Sequence, residues 1–192
     1  MRAIVQDRRK DLTMVDLRPK VDFPQNGHKQ NGHVQNGHKP KPVWQGSIQI
    51  HLDALADIAK ELTIRLGRAP RCVEIGSWHG HSAKALVKGG ATVLCVDTWA
   101  GCTTDQTSDM AKQADPYWIF TQNTTKEREA GNIEAWQISS AEAAGKCQLP
   151  PFDLIFIDAD HSYEATKADI VAWLPHLAPG GVMLGHDYQN PE

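Results

Sequence analysis

Residues 71–86 read RCVEIGSWHGHSAKAL, and this stretch decides how the 192-residue chain folds. Four residues of strand character, 72–75, run into a glycine turn, and a helix-forming run begins at about Ser82. Gly76 allows a tight turn off the strand, and Gly80 lets the backbone approach a ligand, because neither residue has a Cβ atom. The free N–H groups and the positive dipole end of the helix point back at this turn. The stretch therefore predicts a strand–turn–helix unit that binds a ligand with negative or hydrogen-bond-accepting groups.

The glycine spacing distinguishes two classes of nucleotide-binding protein. A dinucleotide-binding turn has glycines at relative positions one, three and six. Here they stand at 76 and 80, with Glu74 two residues before the first. This spacing disfavours a nicotinamide-dependent oxidoreductase, and the carboxylate suits a ligand with an amino group and a sulfonium charge. An ordinary glycine turn in some other α/β protein remains the alternative, since short glycine motifs recur by chance.

Strand-like and helix-like runs alternate on both sides of this stretch. The predicted strands are 71–75, 92–96, 133–138, 152–157 and 182–184, and the predicted helices are 48–66, 81–87, the second half of 105–128, and 163–174. The fourth strand is almost entirely apolar, as a central strand buried on both faces should be. The alternation predicts the α/β class: a Rossmann-like, doubly wound parallel sheet with flanking helices and right-handed crossovers.

The helix before the first strand is predicted from its apolar periodicity. Apolar residues recur in steps of three and four at Ile48, Leu52, Leu55, Ala59, Leu62 and Leu66. Ser47 is its predicted N-cap, and Gly67 is predicted to end it. Such a stripe indicates packing against the sheet rather than a cofactor site.

Residues 1–42 differ from the rest of the chain in composition. Residues 1–45 carry nine Lys/Arg and four Asp/Glu, whereas the remainder carries eleven and nineteen. Residues 25–39 read QNGHKQNGHVQNGHK, a five-residue repeat with three histidines in register, which cannot bury a core. We predict a disordered basic tail over 1–42 and one folded domain over 43–192. A weak metal-binding tract in the repeat and contact of the tail with nucleic acid are the disfavoured alternatives.

The composition also indicates the cellular compartment of the protein. Its four cysteines form no CxxC pair, which fits a reducing, cytoplasmic setting. No apolar run approaches the roughly 20 residues of a membrane-spanning helix, and the first residues lack the apolar core of a signal peptide. We therefore predict a cytoplasmic protein that does not associate with a membrane.

Polar residues collect at the ends of three predicted strands. Asp97 ends the second strand, where a carboxylate can accept both hydroxyls of a ribose. The fourth strand ends in IDADHSY (157–163) and the fifth in GHDY (185–188). Carboxyl ends of parallel strands share one edge of the sheet, so these clusters should be neighbours. Beside a buried strand such groups cost free energy unless a cation or a reaction uses them; a structural capping network is the alternative.

The segment Glu74–Ser82 resembles the first motif of class I S-adenosylmethionine-dependent methyltransferases. With the two later clusters, the chain is most similar to the branch of metal-dependent catechol and caffeoyl-CoA O-methyltransferases and macrolide sugar O-methyltransferases, over about residues 70–190. The resemblance implies that Glu74 lies near the methionine end of the cofactor, that Ser82 binds its carboxylate and that Asp97 binds its ribose. The implied cofactor-binding residues are Glu74, Gly76, Ser77, Gly80, Ser82, Asp97, Ser140 and Asp158.

The resemblance also implies catalytic residues and a metal. Asp158 and His161 would be catalytic, with His161 accepting a proton from the substrate hydroxyl. Asp158, Asp187 and His186 would hold a divalent ion such as Mg²⁺, which would lower the pKa of that hydroxyl. This sequence has Tyr188 where catechol-type enzymes have asparagine, so the third ligand is not fixed, and His186 would be a softer one.

Together these features predict an S-adenosylmethionine-dependent O-methyltransferase acting on a small molecule such as a sugar or a phenol. The methyltransferase fold usually continues with two strands after the fifth, and this sequence has about five residues after Asp187. The alternative is therefore an incomplete or non-catalytic cofactor-binding module of the same fold. The fifth strand would be an exposed edge, to be covered by the N-terminal tail or by a partner subunit in a homo-oligomer.

Overall fold

The computed structural model describes residues 2–6, 12–16, 43–102 and 107–186. Its strands form one seven-stranded sheet in the order β2-β1-β7-β6-β3-β4-β5. The strands are β1 Arg2–Gln6, β2 Leu12–Asp16, β3 Arg71–Ile75, β4 Thr92–Asp97, β5 Ile133–Gln137, β6 Phe152–Ile157 and β7 Leu177–Gly185. Strands β3 to β7 pair in parallel. The predicted α/β fold is confirmed.

Seven α-helices flank this sheet within the described residues. They are α1 Val43–Leu66, α2 His81–Lys88, α3 Thr107–Gln113, α4 Pro116–Asn123, α5 Thr125–Glu129, α6 Ser140–Lys146 and α7 Tyr163–Trp173, and a short 3₁₀ helix follows at Leu174–His176. No helix in this part of the chain is long and apolar enough to cross a membrane.

The sheet has a separate apolar core on each face. Successive side chains of a strand point to opposite faces, so Cys72 of β3 packs with Leu55 of α1, whereas Ile75 packs with Trp173 of α7. Every residue of β6 is buried, which confirms its predicted central position. Helices on both faces are what makes a near-continuous apolar strand stable in water.

Helix α1 begins earlier than its sequence pattern indicates. The predicted stripe is correct where it is described, since Leu55, Ala59 and Leu62 are buried. Gly67, with φ of +66°, ends the helix and donates its N–H to the Thr63 carbonyl at 3.0 Å. The predicted N-cap Ser47 is wrong because the helix already starts at Val43. Apolar periodicity locates the buried turns of a helix but not its first turn.

The N-terminal hairpin occupies the edge of the sheet beside β7. Strand β1 pairs antiparallel with β7, from Arg2 opposite Gly185 to Val5 opposite Val182, and β2 pairs antiparallel with β1. Over these strands the structure differs from the predicted disordered tail, and it agrees with the expectation that the N-terminal tail covers the edge of the fifth strand. The QNGH repeat lies outside the described residues, and the domain boundary at residue 42 and a homo-oligomer stay predictions.

Two further elements differ from the expected pattern. Strand β7 starts at Leu177 rather than at Val182, since the Pro-Gly-Gly segment continues the pairing with β6 across a register shift near Phe152. Helix α6 was not predicted. Its N-cap Ser139 accepts a hydrogen bond from the Glu142 N–H, and this short helix has too few turns for periodicity to identify it.

Candidate functional site

The predicted site residues meet because three strands end at the same level. Ile75, Ile157 and Gly185 lie in register across β3, β6 and β7. One step further, the Asp158 N–H donates to the Ile75 carbonyl at 2.8 Å, and the His186 N–H donates to the Ile157 carbonyl at 3.0 Å. The glycine turn after β3 and the acidic cluster after β6, which consists of Asp158, Asp160 and His161, are therefore neighbours at the carboxyl edge of the sheet.

Gly76 is the point of closest approach between these neighbours. Its φ is +86°, and a Cβ atom there would lie 2.1 Å from the Asp158 carbonyl oxygen and 2.6 Å from the Ala159 Cα. The absence of a side chain is thus required by the backbone of the next strand as well as by the turn.

A cleft of about 450 Å³ opens beside this contact. The predicted residues that line it are Gly76, Asp97, Ser140, Asp158 and His161. The rest of its wall includes Trp78, Thr98, Cys102, Ile138 and Asp160. One cleft therefore joins the turn, the end of β4 and the acidic cluster. Four other predicted cofactor residues, Glu74, Ser77, Gly80 and Ser82, do not belong to its lining.

Asp97 holds two strained turns together at the mouth of the cleft. Its Oδ2 accepts the Trp78 N–H at 2.8 Å, its Oδ1 accepts the Trp99 N–H at 2.7 Å, and the Trp99 indole donates to the Trp78 carbonyl at 2.7 Å. Both tryptophans have positive φ, 42° and 54°. Each carboxylate oxygen retains a second lone pair, so Asp97 can still accept hydrogen bonds from a ligand. Neither tryptophan was predicted to shape the site, since nothing in a sequence indicates positive φ for tryptophan.

Glu74 is fully buried beneath the turn. Burial raises the pKa of Glu74 to about 7, and the nearby hydroxyls of Ser82 and Ser77 partly oppose this shift. Among the described residues, Glu74 Oε1 and Ser77 Oγ have no hydrogen-bond partner of acceptable geometry. Cys95 lies 3.7 Å from the other carboxylate oxygen. A buried acid with an unsatisfied oxygen fits a ligand that brings a donor or a positive charge.

Gly80 has a packing role that the sequence did not predict. It is buried, with φ of +79°, and a Cβ atom there would lie 2.6 Å from Thr124 Cγ2 and 2.9 Å from Phe120 Cδ2. Gly80 thus lets α2 begin close against α4 and α5. The expectation that its backbone approaches a ligand stays a prediction.

Ser140 lines the cleft, but its hydroxyl is engaged on the protein side. It donates to Asp169 Oδ1, and it accepts from the Trp173 indole N–H at 2.9 Å. Burial raises the pKa of Asp169. These bonds fix the start of α6 on α7, so Ser140 shapes the wall of the cleft at the start of α6.

The acidic cluster brings two imidazoles to one carboxylate. His161 Nε2 lies 3.8 Å from Asp158 Oδ1, and His186 Nδ1 lies 3.4 Å from the same oxygen. Asp160 differs from Asp158: it accepts the Ser162 N–H at 2.8 Å and lies 2.8 Å from Cys102 Sγ. Asp158 and His161 therefore face the cleft together, while Asp160 also secures the loop before α7.

Two of the three predicted metal ligands, Asp158 and His186, lie within the described residues. Asp187 lies outside them, and His186 Nε2 lies 2.8 Å from His51 Nδ1. Within the described ranges, no group of three or more His, Cys, Asp or Glu is arranged to hold a metal ion. The Mg²⁺ site with Asp187 as a ligand therefore stays a prediction.

Comparison with known proteins identifies a family and solved structures of similar fold. The profile of the family described as a methyltransferase domain matches residues 73–188. The y4gI protein of Sinorhizobium fredii, itself uncharacterized, is 29% identical over 131 residues, 65% of this chain and 14% of that protein.

Two solved structures have the same fold. One, from Staphylococcus aureus and classed as a caffeoyl-CoA O-methyltransferase, has a TM-score of 0.51 at 16% identity, over 75% of this chain and 64% of its own. The other is CalS10 of Micromonospora echinaspora, an amino pentose methyltransferase with S-adenosylmethionine bound, with a TM-score of 0.50 at 15% identity, over 85% and 61%. This chain spans less than two thirds of the length of all three proteins.

Proposed function

This chain belongs to the methyltransferase domain family, in agreement with the resemblance predicted from its first motif, and on that premise we propose that it transfers a methyl group from S-adenosylmethionine to a hydroxyl group of a small molecule. The supporting observation is the single cleft that joins Asp97 and Gly76 to Asp158 and His161. Methyl transfer needs a donor and an acceptor held in line within contact distance, so most of the catalysis is positioning.

The residues present fit the donor at two points. Asp97 has acceptor capacity for ribose hydroxyls after bonding two backbone N–H groups. Glu74 and Ser77 are buried beneath the turn, and their unsatisfied oxygens, Glu74 Oε1 and Ser77 Oγ, suit the ammonium group of an amino acid moiety. Ser82 lies near the same carboxylate. When bound, S-adenosylmethionine supplies an electrophilic methyl group on a sulfonium.

His161 is the proposed proton acceptor. It is an exposed residue of the cleft wall, and its Nε2 lies 3.8 Å from Asp158 Oδ1. A carboxylate next to an imidazole stabilises the protonated ring, so Asp158 would favour proton transfer from the acceptor hydroxyl to His161. A sugar or a phenol provides such a hydroxyl. No step is assigned to a metal ion, since the described residues include only two of its three predicted ligands.

Binding and turnover test the two halves of this proposal separately. Isothermal titration should give binding of S-adenosylmethionine and of its demethylated product, and no binding of NADH. Binding of NADH alone would contradict the proposal.

Turnover is measured as S-adenosylhomocysteine formed with panels of sugars and phenols. His161→Ala should lower kcat by about 10²–10⁴-fold, the usual contribution of a general base, with cofactor affinity unchanged. His176→Ala, a change in the 3₁₀ helix outside the cleft lining, is the control. Equal loss of affinity and turnover in His161→Ala would show a structural role, and cofactor binding without turnover on any acceptor would favour the non-catalytic module.

A further inference from the structure

Helix α1 carries a histidine to the edge of the sheet where the cleft lies. Four residues separate the end of the helix at Leu66 from the start of β3 at Arg71, so the helix ends at the amino edge of the sheet. Its earlier residues therefore lie towards the carboxyl edge. The rise from Leu66 to His51 is about 22 Å, whereas β3 spans only about 17 Å. His51 is therefore level with the residues that follow the strands.

At this level His51 contacts the acidic cluster through a second histidine. His51 Nδ1 and His186 Nε2 are 2.8 Å apart, and their rings meet edge to face with centroids 4.7 Å apart. His186 Nδ1 in turn lies 3.4 Å from Asp158 Oδ1, and His161 lies 3.8 Å from that oxygen. The four side chains form a row that starts on α1 and ends in the cleft.

The tautomers of imidazole decide which nitrogen atoms in this row donate and which accept. A neutral imidazole has one N–H donor and one acceptor nitrogen. The Asp158 carboxylate favours, by electrostatic attraction, a proton on the nitrogen that faces it, Nδ1 of His186; the 3.4 Å contact does not have hydrogen-bond geometry. Nε2 of His186 is then an acceptor, so the 2.8 Å contact requires the proton to be on Nδ1 of His51. No motif in the sequence points to His51.

We propose that His51 is a positioning residue of the acceptor half of the site: its Nδ1–H fixes the His186 ring, which holds its own Nδ1–H 3.4 Å from the Asp158 carboxylate beside His161. The inference rests on the proposed methyl transfer for its catalytic meaning, but its geometry can be tested without turnover. The row joins three parts of the fold: His51 lies on α1, His186 follows β7, and Asp158 and His161 follow β6. Helix α1 holds His51 in place because the helix packs against the sheet core.

Long-range ¹H–¹⁵N correlation spectra of the full chain at pH 8.5 test the row directly. Signals are assigned with His51→Asn and His186→Gln variants. We expect His186 to carry its proton on Nδ1 in the wild type and to lose this single tautomer in His51→Ala. His51→Asn should keep it, because the asparagine amide N–H can replace Nδ1–H. Ile50→Ala, at an exposed neighbour on the same helix, should change nothing.

Any other protonation state of His186 in the wild type overturns the proposal, whether or not the alanine variant folds. In the activity assay, His51→Ala should lower kcat about tenfold, the loss of one hydrogen bond, with the cofactor Kd unchanged and activity restored in His51→Asn. Unchanged kcat in a folded His51→Ala variant would also overturn it. A wild type that binds cofactor without turnover would refute the proposed reaction but leave the tautomer result valid.

Discussion

Replacing Gly76 with alanine adds a methyl group where the ends of β3 and β6 touch. The new Cβ atom would lie 2.1 Å from the Asp158 carbonyl oxygen and 2.6 Å from the Ala159 Cα, both backbone atoms that cannot rotate away. The φ of +86° adds strain, since L-residues rarely adopt it. Gly131 is the matched control: its φ is +73°, but nothing lies within 4 Å of its added Cβ.

The two variants separate backbone strain from steric overlap. Left-handed backbone costs a non-glycine residue about 1–2 kcal/mol, which is the whole expected loss for Gly131→Ala. Overpacking adds about 1–3 kcal/mol, so Gly76→Ala should lose roughly 2–5 kcal/mol of unfolding free energy in total. The overlap also pushes Asp158 away from the turn, so affinity for S-adenosylmethionine should fall in Gly76→Ala and stay constant in Gly131→Ala.

Urea unfolding followed by tryptophan fluorescence measures the free energies, and isothermal titration measures the affinities. Equal destabilisation of the two variants would refute the close contact between Gly76 and Asp158. Unchanged cofactor affinity in a folded Gly76→Ala variant would refute the link between this contact and the ligand site.

Three further outcomes follow from the site and the sheet. Because the folded pKa of Glu74 is raised from 4.5 to about 7, its contribution to stability is present below pH 4.5 and is lost as the pH rises through 7; this is worth about 3 kcal/mol. Glu74→Gln should flatten the pH dependence of ligand-free unfolding between pH 4.5 and 7, and an unchanged slope would contradict the burial argument. Asp97→Asn leaves one acceptor oxygen for two backbone N–H groups, so Tm and cofactor affinity should both fall in thermal-shift assays, by about 1–2 kcal/mol of stability. Deleting residues 1–16 should expose the edge of β7 and raise the sedimentation coefficient at high protein concentration; a variant that stays monodisperse would show that the hairpin does not protect this edge.

The parallel sheet could be predicted because its strands are short apolar runs between glycine turns. Strands β3 and β6 begin and end where they were predicted to, because the apolar run of a buried strand marks its extent in the sequence. The N-terminal tail was expected as one possible cover for the edge of β7, but its two strands could not be predicted in the same way. Its place depends on pairing with β7, from Arg2 to Gly185, and no local pattern records a partner so distant in the chain.

The site was predictable where a residue follows a strand and faces the cleft, as Asp97, Asp158 and His161 do. It was not predictable where the three-dimensional packing decides. Gly80 has a motif position but contacts Phe120 and Thr124, and His51 has no motif but lies beside His186. Sequence spacing predicts where a strand ends, whereas the length and crossing angle of a helix decide which of its residues lies beside that end.

The antiparallel pairing of β1 with β7 has a consequence for how the protein is made. Strand β1 is synthesised well before its partner β7, since Arg2 and Gly185 lie at distant positions in the chain. The loop that this pairing closes is longer than any between paired strands of the parallel sheet, and closing so long a loop is slow. Until β7 has been made, β1 has no edge to join, so β3, β4 and β5 can pair before the hairpin takes its place.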